Sequence, residues 1–167
     1  MKSKPAHIVL FFFVLLMSGK EMKSQEISYI NIPDLDNILK APENKLYVVN
    51  FWTTWCAPCI SELPGFQKIS KEYDPEKVRF IMVSLDLPGQ VQKQLIPFLR
   101  KNMITLDIRV MTDLDYNEWI EKVDPSWQGN IPATLFFNNS KKARYFHTGE
   151  IDESGLKKVI DTYTLPE

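Results

Sequence analysis

Two stretches stand out from the polar background of this chain as mainly apolar runs: "LYVVNFW" (46–52) and "VRFIMVSL" (78–85). Both are of strand length and rich in β-branched and aromatic residues, the pattern of strands covered on both faces. Residues 57–73 between them carry apolar side chains at helical spacing. "ATLFF" (133–137) and "ARYFHT" (143–148) flank the polar "NNSKK" and predict a hairpin; Asn138-Asn139-Ser140 fits a glycosylation sequon but reads as the turn. Leu156, Val159, Ile160 and Tyr163 fall at i, i+3, i+4 and i+7, a closing amphipathic helix. Tyr116, Trp119, Ile120 and Val123 repeat that spacing, with Asp115 and Glu118 placed for a capping box. Residues 90–102 are expected to be helical too, with Pro97 forcing a kink or a restart. Strand, helix, strand, helix, hairpin and final helix describe an α/β sandwich. The chain shows no internal repeat or linker-like stretch, so one domain is expected.

The N-terminus changes the picture of where this domain works. Lys2 and Lys4 precede "IVLFFFVLLM", ten apolar residues from Ile8 to Met17. That is the charged start and apolar run of an export signal, and it is short of the roughly 20 residues a spanning helix needs. No A-x-A cleavage pattern occurs between Ser18 and Gln25, so a membrane-tethered form stays open beside a cleaved one. The expected organisation is a targeting segment over 1–25 and a domain over 26–167, exported to the periplasm or tethered to the outer face of the cytoplasmic membrane. Without residues 1–25 the chain keeps 16 basic and 20 acidic side chains, net −4. With no basic run left, nucleic acid is not an expected partner.

The two cysteines, Cys56 and Cys59, admit three readings. As a staple they close a loop of about 4 residues, worth roughly 2 kcal/mol in chain entropy, against about 4.7 kcal/mol for a loop of about 100. As a metal clamp they lack the four ligands of structural zinc; Cu(I), a soft ion, would accept two thiolates with His147 or a methionine. As a reagent they explain their neighbours. Cys56 follows a strand and opens a helix, with Pro58 in the first turn, where a missing N–H costs nothing. Unpaired amides and the dipole at a helix N-terminus favour thiolate over thiol. Cys56 is then the exposed nucleophile, and Cys59, one turn deeper, the shielded resolving thiol.

Glu62 adds to the third reading. Stepping about 100° per residue, it falls inside the apolar arc made by Cys59, Leu63, Phe66, Ile69 and Tyr73. A carboxylate there is partly desolvated and its pKa rises. One turn from Cys59, it is placed to take or return the proton of the buried thiol. The alternative is that Glu62 sits at the rim and only decorates the first turn of the helix.

"VVNFWTTWCAPC", Glu62 and Pro64 together resemble the thioredoxin-like superfamily, and within it the exported TlpA/ResA-type thiol-disulfide oxidoreductases. The resemblance implies a thioredoxin-like fold with a central mixed β-sheet flanked by helices. Pro64 matches the proline of the active-site helix, and Glu62 the C-x-x-E-x-P continuation of the TlpA/ResA group. Asn50 stands where thioredoxin carries a buried acid. "GNIPATLFF" is similar to the loop that ends in a cis-proline, which would be Ile131-Pro132. That loop would lie against the cysteines, with the Ile131 backbone open to an extended substrate. Residues 86–125 fit the TlpA/ResA-type insert. Trp55 is expected to cover the thiol edge and help bind partners, whereas Trp127 fits the same surface and the core equally well. His147 is assigned nothing.

The resemblance implies a monomer with a Cys56–Cys59 redox disulfide, no metal and no cofactor, acting on protein disulfide or dithiol substrates. Apocytochrome c is among the targets of the group. The Ala-Pro dipeptide between the cysteines, close to thioredoxin's Gly-Pro, points to the reducing side. An exported reductant needs electrons, which implies a membrane thiol transporter of the DsbD/CcdA kind as donor. Two rivals remain: a Cu(I)-binding thiol chaperone and a peroxide-reducing redoxin. For the second, Thr53 fills the threonine slot of P-x-x-x-T-x-x-C, but Val49 stands where the proline belongs.

Overall fold

A computed structural model describes residues 27–164; the expected targeting segment over 1–25, and the boundary drawn after it, lie outside the described residues. The elements run β1 (Ile27–Ile30), α1 (Ile32–Leu39), β2 (Leu46–Trp52), α2 (Ala57–Ile69), β3 (Val78–Ser84), α3 (Ile96–Lys101), β4 (Ile108–Met111), α4 (Ile120–Val123), β5 (Ala133–Asn138), β6 (Ala143–Thr148) and α5 (Glu153–Thr164). The six strands form one sheet in the order β1-β4-β3-β2-β5-β6. Pairing is parallel from β1 to β2 and antiparallel from β2 through β5 to β6, so the sheet is mixed, as expected.

β2 is buried along its whole length, and its side chains alternate between two cores. Leu46, Val48 and Trp52 join Cys59, Leu63 and Phe66 of α2 on one face; Tyr47, Val49 and Phe51 join α1, Trp119 and Trp127 on the other. The period of two that alternates side chains across a strand therefore assigns Asn50 to the α2 face. On that face Phe66 meets Phe80 edge-on at 6.5 Å, pinning α2 to β3. On the other, Phe51 packs on Trp127 at 4.7 Å, and Trp127 on Phe146 at 5.8 Å.

Three expectations need correction. The helix drawn over 57–73 ends at Ile69, with Ser70 as its cap. The insert over 86–125 holds a strand not anticipated: β4 lies between β1 and β3, parallel to both. Within the same stretch, residues 90–102 are helical with a restart at Pro97, as expected: a 3-10 turn and a wide π turn over Val91–Leu95 lead into α3. Ile96 N–H reaches back to Val91 O, and Pro97, which has no N–H to give, sits in the first turn of the restarted helix. Finally, the capping box at Asp115 and Glu118 does not form around a long helix. Asp115 accepts from Asn117 N–H over a 3-10 turn at Tyr116–Glu118, and Trp119 (φ −139°) separates that turn from α4. Trp119 is fully buried, stacked on Phe51 at 5.9 Å with Nε1 donating to Asp113 O, and this packing overrides the helical spacing.

Phe66→Ala removes a ring that is 0% exposed and touches both α2 and the sheet. It is expected to lower unfolding free energy by about 3–5 kcal/mol, read by urea titration; a loss under about 1 kcal/mol would contradict this packing.

Candidate active site

β2 ends at Trp52 and the chain turns through residues 53–55 into α2, which begins at Ala57. Cys56 is its N-cap, extended at φ −87° and ψ 105°, with Pro58 in the first turn. The Cys56 N–H donates to Thr53 O at 3.4 Å, closing the turn, and Cys56 Sγ accepts from Cys59 N–H at 3.3 Å. Cys56 and Cys59 are joined as a disulfide, with Cα atoms 5.2 Å apart. The exposures rank as expected but are lower than expected. Cys59 is 0% exposed and Cys56 only 6%, so Cys56 is not the exposed thiol of the sequence reading. Trp55, its neighbour, is 71% exposed and packs over neither core.

Glu62 lies one turn beyond Cys59 and is 4% exposed, which removes the rim alternative. Its Oε1 accepts from Asn50 Nδ2 at 2.7 Å and its Oε2 from Ile151 N–H at 3.0 Å. Burial pushes its pKa up to about 7; the donors on Ile151 and Asn50 hold it down, and Glu150 nearby raises it. A carboxyl whose pKa is raised toward neutrality is suited to taking and returning a proton, and this one sits one helical turn from the buried Cys59. Asn50 also donates to Thr134 Oγ1 at 3.0 Å, while its Oδ1 is buried without a hydrogen-bond partner among the described residues. A half-turn of that amide would offer Oδ1 to a protonated Glu62, because an amide carries both donor and acceptor.

The Ile131–Pro132 bond is cis. Ile131 packs against both cores, Pro132 O accepts from Gly149 N–H at 2.8 Å, and Trp127 Nε1 donates to Asn130 O at 2.8 Å. Trp127 is 2% exposed, so it belongs to the core and braces the loop from beneath. His147 stacks loosely on Tyr145, with Nε2 3.3 Å from Glu150 O. Asn138, the sequon residue, is 3% exposed and bonded to Asn44 Oδ1, a structural turn residue. Among the described residues no three His, Cys, Asp or Glu side chains gather as a metal-holding group. A cavity of about 530 Å³ lined by Asp34, Tyr47, Arg79 and Arg109 opens under α1, on the face of the sheet away from α2.

Sequence reasoning passed over three contributors to the site. Thr134 and the Ile151 N–H hold the Asn50–Glu62 pair, and Asp86 ties down the turn before Cys56. The polar Thr134 inside the apolar "ATLFF" and Asp86 just past the end of an apolar strand are the signals that were there to read.

Residues 21–146 match the AhpC/TSA family. Thioredoxin-like protein YneN of Bacillus subtilis is 25% identical over 126 residues, 74% of this chain and 68% of that protein. Thiol-disulfide oxidoreductase ResA of Halalkalibacterium halodurans is 24% identical over 123 residues, 74% of this chain and 65% of that protein. The chain thus spans about two thirds of the length of these two relatives. The solved structure of a thioredoxin-related protein from Neisseria meningitidis serogroup B superposes with a TM-score of 0.64 at 23% identity, covering 75% of this chain and 89% of that one. That likeness confirms the thioredoxin-like fold.

A pH effect on stability follows from Glu62. In the unfolded chain the carboxyl ionises near 4.5, in the folded one near 7. The unfolded state therefore gains from ionisation first, and stability falls as pH rises through that window. Relative to Glu62→Gln, wild-type unfolding free energy should fall by up to about 3 kcal/mol between the two values and level off above. A wild-type minus variant difference that is flat from pH 4.5 to 8 would contradict the burial of an ionisable carboxyl here.

Proposed function

The chain belongs to the AhpC/TSA family, and from that premise we propose that it is a thiol-disulfide oxidoreductase that reduces protein disulfides outside the cytoplasm. The observation that carries this reading is the bond between Cys56, at the mouth of α2, and Cys59, one turn inside it. A dithiol–disulfide couple at a helix N-terminus has its nucleophile and its resolving thiol in place before any partner arrives. The ResA relative, described as a thiol-disulfide oxidoreductase, supports the same reading.

In the reducing direction, Cys56 thiolate attacks one sulfur of a substrate disulfide. A mixed disulfide forms, and the first substrate sulfur leaves as a thiolate that takes a proton from solvent. Cys59 passes its proton to Glu62 and attacks Cys56 Sγ. The second substrate sulfur leaves, two electrons have moved to the substrate, and the Cys56–Cys59 disulfide remains. Glu62, buried one turn from Cys59 with its pKa near 7, is the proton acceptor in this scheme. Trp55 and the Ile131–Pro132 loop form the docking edge, where the Ile131 backbone pairs with an extended substrate segment. Direction depends on the potential of the couple, near −270 mV for thioredoxin and near −120 mV for the strongest periplasmic oxidant. The Ala57-Pro58 dipeptide places the bet on the reducing side.

Electrons would come from a membrane thiol transporter of the DsbD/CcdA kind, and apocytochrome c would be a representative target. The apolar run at Ile8–Met17 supports export, the protein working in the periplasm or tethered to the membrane. Among the described residues no helix is long and apolar enough to cross a membrane.

Insulin-disulfide reduction by the purified domain is expected to vanish in Cys56→Ala, whereas Cys59→Ala traps a mixed disulfide visible by mass spectrometry. Wild-type behaviour in both variants would end this reading. Thr53, whose hydroxyl is buried without a hydrogen-bond partner among the described residues three positions before Cys56, makes peroxide the alternative substrate to check. Rapid peroxide consumption lost in Cys56→Ser would replace disulfide reduction with peroxide reduction.

A further inference from the structure

Asp86 lies two residues beyond the end of β3 and is 1% exposed. Every hydrogen bond of its carboxylate is an acceptance. Thr54 N–H donates to Oδ2 at 3.0 Å and Oδ1 at 3.2 Å, the Thr54 hydroxyl to Oδ1 at 2.6 Å, and the Ser84 hydroxyl to Oδ2 at 2.8 Å. Such donors offset the cost of burying a carboxylate. Two of the three donor groups belong to Thr54, in the turn that delivers Cys56 to α2.

The rest of that turn has few anchors of its own. Leu85 N–H donates to Trp52 O at 2.8 Å, the last tie between the β2 and β3 segments, and Cys56 N–H closes on Thr53 O at 3.4 Å. Trp55 is exposed, and the Thr53 hydroxyl has no partner among the described residues. Between the end of the sheet and the first turn of α2, Asp86 is, among the described hydrogen bonds, the side chain that holds the backbone.

We propose that Asp86 is a positioning residue for the redox pair: by gripping Thr54 it keeps Cys56 at the N-cap, with its sulfur facing the Cys59 amide. This rests on the redox reading of Cys56. Asp86 also places a carboxylate on Thr54, two residues before Cys56, and a negative charge opposes ionisation of a thiol, so its grip and its charge act on the Cys56 thiolate with opposite signs. The other ionisable groups packed about this end of α2 are Glu62 on the helix itself, Glu150, which accepts from the Ser61 hydroxyl at 2.7 Å, and His147 beside it. None of these touches Thr54 among the described hydrogen bonds, so substitution at Thr54 leaves their contacts in place.

The two effects separate by mutation. Thr54→Val deletes a donor and leaves the charge; Thr54→Ser restores the donor. Asp86→Asn keeps the shape and an acceptor for Thr54, its amide donating to the Ser84 hydroxyl, and removes the charge. Two readouts apply to the reduced full domain: the pH midpoint of Cys56 alkylation by iodoacetamide, resolved by peptide mass spectrometry, and the rate of reaction with oxidised glutathione. Thr54→Val should raise the midpoint by about half a unit and slow the glutathione reaction several-fold, since small misplacements of a reacting group cost large factors in rate. Thr54→Ser should return both to wild type. Asp86→Asn should lower the midpoint by about half a unit. Wild-type midpoints and rates in Thr54→Val overturn the proposal, whatever its melting temperature, and this holds even if Asp86→Asn does not fold. A wild-type dithiol that fails to react with oxidised glutathione would sink the redox reading first, and the proposal with it.

Discussion

The hydrogen bond from Cys59 N–H to Cys56 Sγ, 3.3 Å long, is the contact on which the chemistry of this molecule depends. A helix leaves its first amides without partners of its own, and here one of them is turned on a sulfur. That arrangement needs α2 held firmly above the ends of the central strands. Leu63, Phe66 and Ile69 hold it from below, buried against the even-numbered side chains of β2 and β3. The same packing buries Cys59 completely, so the two sulfurs of one short motif live in different surroundings.

Burial that serves the sulfurs is costly at Glu62. The carboxyl lies in the same apolar layer and is met, among the described residues, by two donors, Asn50 Nδ2 and the Ile151 N–H, which do not restore its ordinary pKa. Asn50 stands on the strand directly beneath the helix, in the one polar position of the row that β2 presents to α2. Its Oδ1 has no hydrogen-bond partner among the described residues, and a half-turn of the amide would turn that acceptor toward a protonated Glu62. The donor from Ile151 joins the far end of the chain to the site, because Ile151 leads into α5, which packs on α2.

Much of this was legible in the residues. The mainly apolar run of β2 marked a strand covered on both faces, and the placement of Glu62 among Cys59, Leu63 and Phe66 foretold its burial. The cis bond before Pro132 was read from likeness to known loops, since local physics alone makes cis uncommon. What escaped notice did so for physical reasons. β4 has four residues, "IRVM", and its place between β1 and β3 comes from pairing partners distant in sequence. The helix expected around Trp119 had the right spacing, but that ring is worth more to the core stacked on Phe51 and Trp127 than in a regular turn. Cys56 proved less open than a nucleophile at a helix mouth suggested, 6% exposed with its sulfur bonded to Cys59. Asp86 is an ordinary loop aspartate until the fold brings Thr54 against it.

The most direct measurement is the titration of the Cys56 thiolate in the reduced protein, followed by its ultraviolet absorbance, with Cys59→Ala as the reference that leaves one thiol. If the amides at the mouth of α2 hold that sulfur as an anion, ionisation will be complete well below the ordinary cysteine value of about 8.5. A midpoint at or above about 8.5 would mean that the helix does not activate the sulfur, and the pair would then be no more than a short cross-link.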